Sequence, residues 1–506
     1  MKKLLISTCL LVTPFLCTIL SAQKGPKITQ VLLISIDGMH SQDLATWVQL
    51  QPNGSLAKLM STGVNYPNAF TTQPSDSIPS TVGIFTGASA SLGGMYYDDA
   101  WHRVWAPSVS SGKSCNVGVP NGTAIDLKQG IDYDGTKLDA GGGINPNNLP
   151  RDPFNNCNPV YPHNMMRVNT IFEVVRAAGM YTAYSEKRPS YDFLNGPSGT
   201  GVNDLYTPEI NAVNLLNLGS ITDTTSIEYF DQLRVNSILN EINGMNHDGT
   251  AAAPKPNLFG MNFQSVNSAK KESLSSGYMD AGGNTFDSYM LNALNYVDGA
   301  IGSMITALGQ QGMANSTVVI ITAKHGESPL GNTRSIVLTS DISTILTTGI
   351  AANKITQKTS GLIWLKNQGQ TSAAVTALQT GTPADWLPNL NQVLWYNNGL
   401  GGLPFPDPAQ DPAVPDIVTL MKDGVNFEPS LTSTTHAEHG GLGTFESHVP
   451  LLVSCPRWTP VTSNVQVATR QIAPTVLLLL NLNPNALMAV RLGTVSRLPE
   501  VTAKLQ

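Results

Sequence analysis

Ser77 lies in a loop of hydroxyls and prolines, TTQPSDSIPSTVGIFTGASAS (71–91), that runs into a short apolar segment ending at Gly87. Ser75, Ser77, Ser80 and Thr81 crowd around Pro74 and Pro79, with one acid, Asp76, among them. A surface loop that caps an ordinary helix would read this way. So would a nucleophilic serine at a helix N-terminus, where free N–H groups and the helix dipole attract an anion. Asp76 reads as a capping or solvated carboxylate.

Other polar sets stand at the ends of apolar runs. Asp37 closes ITQVLLISIDGMH (28–40), and Lys324-His325-Gly326 closes STVVIITAKHGES (316–328). THAEHGG (435–441) supplies His436 and His439 just before HVPLLVSCP (448–456). YSEKRPSYDFLNGPSGTG (184–201) brings Glu186, Lys187 and Asp192, with a glycine-rich tail that resembles an anion-facing loop. Each motif alone is weak, since Asp-Gly and His-Gly are common turn and loop sequences. Their shared place at strand ends gives them weight, because open α/β sheets bind ligands outside the carboxyl ends of their strands.

The elements that must hold these groups follow from hydrophobic period. The runs at 28–36, 316–323 and 448–454 are continuous and β-rich, as buried strands are. Apolar residues at helical spacing predict helices near 52–62, 168–178, 285–312 and 471–482. Strands alternate with helices, which predicts an α/β class with a mostly parallel sheet flanked by helices. Two segments break the rhythm: 98–165, rich in Gly, Asn, Asp and Pro, and 332–430. The first is expected to be a loop insertion over the site and the second a cap.

Composition narrows the classes further. The chain has 506 residues, 13% charged, with net charge −6 and no Lys/Arg-rich tract. That argues against a nucleic-acid-binding surface. MKKLLISTCLLVTPFLCTILSAQ (1–23) has a positive start, an apolar stretch and small residues at its end, the pattern of a secretory signal peptide. Residues 24–506 would then form the mature domain, secreted or periplasmic, with no later stretch fit to span a bilayer. Export permits disulfides. Cys115 and Cys157 share the 98–165 insertion and are expected to pair, whereas Cys455 reads as a buried thiol; spacing alone decides neither.

LLISIDGMH, PSDSIPSTVGIFTG, TAKHG and AEHGG ahead of HVPLLVS together resemble the alkaline phosphatase superfamily, in its type I phosphodiesterase/nucleotide pyrophosphatase branch. The likeness runs from Ile28 to the C-terminal helix. It implies an alkaline-phosphatase-like fold and hydrolysis of a small-molecule phosphate ester by a serine or threonine nucleophile beside zinc. The family nucleophile falls on Ser77, its first aspartate ligand on Asp37, the histidine of an Asp-His-Gly motif on His325 and a late histidine on His439. Ser80 stands where relatives carry a phosphate-binding asparagine.

The chain also departs from that pattern. Relatives hold two zinc ions with three aspartates and three histidines. NLFGMNFQSVNSAKKE (257–272), which matches their Asp- and His-bearing motif, has neither residue, and Lys324 replaces the aspartate of Asp-His-Gly. The expectation is at most one divalent metal, zinc by resemblance, on Asp37, Ser77, His325 and His439. Lys324 is expected to act with Ser77, a serine–lysine arrangement, and Lys187 and Ser80 to bind substrate. Lys270 and Lys271 read as surface residues, and Tyr96 or Tyr97 as leaving-group stackers or core. The alternative is a non-catalytic anion-binding protein on the same scaffold. Sulfatase chemistry ranks low, because Ser77-Ile78-Pro79-Ser80-Thr81 lacks the arginine of the sulfatase motif.

Overall fold

The computed structural model describes residues 27–212, 224–332, 336–338, 341–381, 383–398, 405–427 and 436–505. The expected signal segment, 1–23, lies outside the described residues, as do parts of 332–430.

Strand β1 (Gln30–Ile36) sets the layering. Successive side chains of a strand point to opposite faces. Val31 and Leu33 enter one core, while Leu32, Ile34 and Ile36 enter a second core behind the sheet. A strand apolar on both faces belongs in the middle of a sheet covered on both sides. The neighbouring strands are β2 (Gly63–Asn65), β3 (Ala183–Ser185), β4 (Asp204–Tyr206), β5 (Leu258–Phe263) and β6 (Thr317–Thr322). Strands β7 (Ala352–Gln357), β8 (Ser360–Leu365), β9 (Leu390–Trp395) and β10 (Ile417–Met421) come next in the chain. Then follow β11 (Leu451–Ser454) and β12 (Val461–Thr462).

The main sheet runs β12–β2–β11–β6–β1–β5–β3–β4. β1 pairs in parallel with β5 and β6, and β3 with β5 and β4; β11 runs antiparallel to β6 and β2. The fold is thus α/β with a mostly parallel sheet. Helices α1 (Ser77–Thr86) and α4 (Ile472–Leu479) fill one face, through Val82, Phe85, Val476 and Leu477. On the other face lie α2 (Ser265–Glu272) and α3 (Ser288–Gln310), the latter burying Met290, Leu294, Val297, Ile301 and Met304.

Between β6 and β11 the chain builds a second, antiparallel sheet in the order β7–β8–β10–β9. Ile363, Leu365 and Ile417 form its own core, while Leu362, Trp364 and Val418 face the main body. The 98–165 segment contributes a short hairpin, Asp99–His102 with Thr123–Asp126, and further irregular pieces. Cys115 and Cys157 form a disulfide within it, with Cα atoms 6.0 Å apart, and Cys455 is a buried free thiol. Among the described residues no helix is long and apolar enough to cross a membrane.

Candidate active site

Asp37 extends β1 by one residue, its N–H donating to the Phe263 carbonyl at 2.9 Å. The chain must then turn at once beneath α2. Gly38 does so at φ +79°, where a Cβ would lie 2.7 Å from the Asn267 Cα, so only glycine fits. Lys187 follows β3 by two residues, and Lys324 and His325 follow β6. Ser77 is the first residue of α1, whose N-cap is Asp76. The Asp76 carboxylate accepts from the Ile78 N–H at 3.0 Å and the Asp98 N–H at 3.2 Å. Asp76 is therefore a cap, buried rather than solvated, and it takes up part of the donor potential of the helix end.

These strand ends and the α1 N-terminus converge on one point. The Ser77 Oγ is 3.2 Å from the His325 Nε2 and 3.3 Å from the Lys187 Nζ. Lys187 also pairs with the Asp37 Oδ2 at 3.2 Å. The other His325 nitrogen, Nδ1, lies 2.9 Å from the Gly326 carbonyl. A carbonyl can only accept, which assigns the ring proton to Nδ1 and leaves the Nε2 lone pair facing the serine hydroxyl.

Lys324 does not act where the sequence suggested. Its ammonium is buried between the Asp37 Oδ2 at 3.0 Å, the Glu186 Oε1 at 3.1 Å and the Tyr191 hydroxyl at 3.0 Å. The lysine against Ser77 is Lys187. Lys324 and His325 both approach the Asp37 Oδ2, at 3.0 and 3.9 Å, but the Lys324 ammonium goes on to Glu186 and Tyr191 while the imidazole faces Ser77.

Charge and burial tune these groups. Burial would raise the Asp37 pKa, but Lys324 and Lys187 overcome it and hold the carboxyl well below the usual carboxylate range. Burial would lower Lys324, yet Asp37 and Glu186 outweigh it and keep its pKa above the ordinary lysine value. Lys187 moves the other way, pushed down to about 8 by burial and then by Lys324, against the pull of Asp37. Burial and the neighbouring His439 hold His325 well below the usual histidine value, so it is neutral near pH 7.

Ser77 opens into a cavity of about 330 Å³. Its walls carry five basic side chains (Lys128, Lys187, Arg188, Lys271 and Lys358) against one acid, Asp98. Lys128 comes from the 98–165 segment and Lys358 from the turn between β7 and β8. His439 also faces the cavity; its Nδ1 lies 2.9 Å from the Glu327 Oε1, and its ring stacks on His325 with centroids 3.4 Å apart.

The type I phosphodiesterase/nucleotide pyrophosphatase family model matches residues 31–442. The chain belongs to this family. No curated protein sequence matches it. Among solved structures it resembles murine ectonucleotide pyrophosphatase/phosphodiesterase 5, including an inactive form in complex with AMP, at TM-score 0.58 and 16% identity, over 90% of this chain and 96% of that one. The human counterpart aligns at TM-score 0.56 and 14% identity, over 90% and 95%.

The family resemblance implies a metal among Asp37, Ser77, His325 and His439, of which the first three surround one point. These three do not fit a metal here, because the Lys187 ammonium stands at the point they share and Lys324 holds the same Asp37 oxygen. His325, Glu327 and His439 form a different buried group that could hold a metal ion, with ligand atoms within 4.8 Å of one another. A metal bound there through the His325 Nε2 would compete with Ser77 for its lone pair. Through Nδ1 it would displace the proton given to Gly326. Glu327, two residues past His325, carries no spacing signature that sequence reading could use.

Several other expected positions differ. Ser80 is fully buried, and its hydroxyl donates to the Thr72 carbonyl at 3.3 Å instead of facing the cavity. Lys270 is buried, not a surface residue; it binds the Gly38 carbonyl at 2.6 Å and Asp43 at 2.7 Å. Lys271 lines the cavity and pairs with Glu438 at 2.9 Å. Tyr96 and Tyr97 are core residues, the former donating to Asp411 at 2.9 Å. Asp192 faces His163, and the glycine-rich tail packs back on Glu173 and His163. The His436 carbonyl accepts from the Ser276 hydroxyl, and His439 is the histidine of THAEHGG that lines the cavity.

Proposed function

We propose that the chain is an exported hydrolase of phosphate esters, most of all phosphodiesters, in which Ser77 is the nucleophile. The observation that carries this reading is the Ser77 hydroxyl at the floor of a cation-lined cavity, 3.2 Å from the lone pair of a neutral imidazole. His325 takes the serine proton as Oγ attacks phosphorus in line. The P–Oγ bond forms, the bond to the leaving alkoxide breaks, and the departing oxygen takes a proton from water at the cavity mouth. Water then cleaves the phosphoseryl bond and His325 returns the proton. Proton transfer of this kind contributes roughly 10²–10⁴-fold.

Asp37 and Glu186 balance the Lys187 and Lys324 ammonium groups, which keeps two cations buried beside the nucleophile. Lys271, Lys358 and Arg188 face the space where a phosphate ester would lie. The AMP complex of the murine relative supports a nucleotide-like ester as ligand. His325, Glu327 and His439 would be the ligands of a divalent ion, zinc by family resemblance, but an ion bound through the His325 Nε2 would take the lone pair that faces Ser77, so the steps above use no metal.

The test is hydrolysis of bis(4-nitrophenyl) phosphate by the wild-type chain and Ser77→Ala. Loss of turnover by about 10³-fold or more supports the nucleophile. Equal, background rates in both would favour the second reading, a binding protein that retains an anion without turnover. That reading draws on the 257–272 segment, which has neither Asp nor His.

A further inference from the structure

We propose, building on the hydrolase reading above, that Lys187 is a catalytic residue whose ammonium takes the place of a metal ion, so that the chain cleaves phosphate esters without a divalent cation. Three observations converge on it. The Lys187 Nζ touches both the Asp37 carboxylate and the Ser77 hydroxyl, at 3.2 and 3.3 Å, the two oxygens that a bridging cation would need. The Asp37 Oδ2 also meets the Lys324 ammonium at 3.0 Å, so a second lysine already stands against the carboxylate that would ligate a metal. Lys187 itself lines the cavity, and its side chain keeps 12% exposure in an otherwise closed cluster.

A lysine ammonium is a compact point charge with three donors. Asp37 and Ser77 engage two of them. The third is free to meet a phosphoryl oxygen entering from the cavity. In the attack step the serine proton moves to the His325 Nε2, the Oγ–P bond forms and the P–O bond to the leaving group breaks. Lys187 transfers no proton; it offsets the negative charge on Oγ and on the equatorial oxygens. Removing a preorganised donor of this kind from an active site costs roughly 10²–10³-fold in turnover. Lys324 is a positioning residue: by pairing with Asp37 and Glu186 it fixes the carboxylate against which Lys187 is aimed.

The experiment uses the purified full-length chain and Lys187→Met, which removes the charge at similar side-chain length. Diesterase turnover is measured before and after exhaustive chelation, metal content is measured by mass spectrometry, and zinc affinity by calorimetry. The expected result is unchanged turnover after chelation and well under one metal per wild-type chain. Lys187→Met should lose about 10²–10³-fold in kcat with KM moved less than about threefold. A Lys187→Ala chain should regain part of its turnover with added methylammonium, which repair of a merely structural role would not give.

Chelation that abolishes wild-type turnover, reversed by added zinc, would overturn the proposal, as would a Lys187→Met chain with wild-type kcat. If instead the wild type shows no Ser77-dependent hydrolysis, the hydrolase reading alone fails, and zinc affinity decides the remainder. Zinc binding at least about tenfold tighter in Lys187→Met than in wild type means that the ammonium holds a metal's place. Equal affinity means that it does not.

Discussion

The His325 Nε2 faces the Ser77 hydroxyl at 3.2 Å while its Nδ1 is tied to the Gly326 carbonyl at 2.9 Å. The second contact fixes both ring direction and tautomer, so the first can only be accepting. His325→Ala should therefore reduce kcat on a diester by about 10²–10⁴-fold. His325→Gln fills the space without a base and should do no better. Steady-state kinetics check this; a Gln variant with more than a tenth of wild-type kcat would remove His325 from proton transfer.

Arg188 lines the cavity, and its Nε has no hydrogen-bond partner. Guanidinium groups bind phosphate through paired N–H donors. Arg188→Ala is expected to raise KM about tenfold or more for an ester bearing a second anionic group, with kcat little changed. The same substitution should matter far less for an ester with a single charge. Comparing the two substrates reads the difference, and equal effects on both would place Arg188 outside ligand recognition.

Gly38 holds Asp37 in place by turning the chain at φ +79° against Asn267. Gly38→Ala forces a Cβ into that contact and into left-handed backbone, at a cost of about 2 kcal/mol or more. Thermal unfolding should report the loss. Because the displaced residue is Asp37, turnover should fall further than stability alone accounts for at a temperature where the variant remains folded.

Asp132, in the 98–165 segment, is buried beside Glu209. Burial and then Glu209 push it up to about 8 from an ordinary value of 3.8. The folded chain thus retains a proton that the unfolded chain releases. This contribution is favourable at low pH and is lost as pH rises from about 4 through about 8. Asp132→Asn should flatten the fall in melting temperature between pH 5 and pH 9 and stabilise the protein at the alkaline end. Parallel curves for the two proteins would contradict the assignment.

The Cys115–Cys157 disulfide closes a loop with a sequence separation of 42. The chain-entropy model gives such a closure about 4 kcal/mol. Replacing both cysteines with serine should expose the insertion to limited proteolysis first, with cleavage between residues 115 and 157. Turnover should fall only as far as Lys128 and Asp98 lose their places beside the cavity.

The sheet order follows from strands that are apolar on both faces, and these were legible as continuous β-rich runs. Asp37, Ser77, His325 and His439 were legible too, because the ends of such strands share one edge. Side-chain direction was not. Lys324 and Lys187 both follow strands, yet the first ends on Glu186 and the second on Ser77, a difference set by packing that strand position does not record. Ser80 shares the hydroxyl chemistry of Ser77, but three residues deeper in α1 it meets the Thr72 carbonyl. Lys270 and Lys271 are adjacent in sequence, yet α2 points one inward to Gly38 and the other toward the cavity. Glu327 and Lys358 reach the site through long-range packing that no local spacing records.

Lys358 comes from the turn between β7 and β8, in a sheet that has its own apolar core. A change of length or charge in that turn alters the cavity wall, and because the Lys358 ammonium lies 3.8 Å from Asp76, the N-cap of α1, it also reaches the helix end that holds Ser77. Selectivity can therefore drift, or be re-engineered, by hairpin exchange, provided that the exchanged turn keeps a cation beside Asp76.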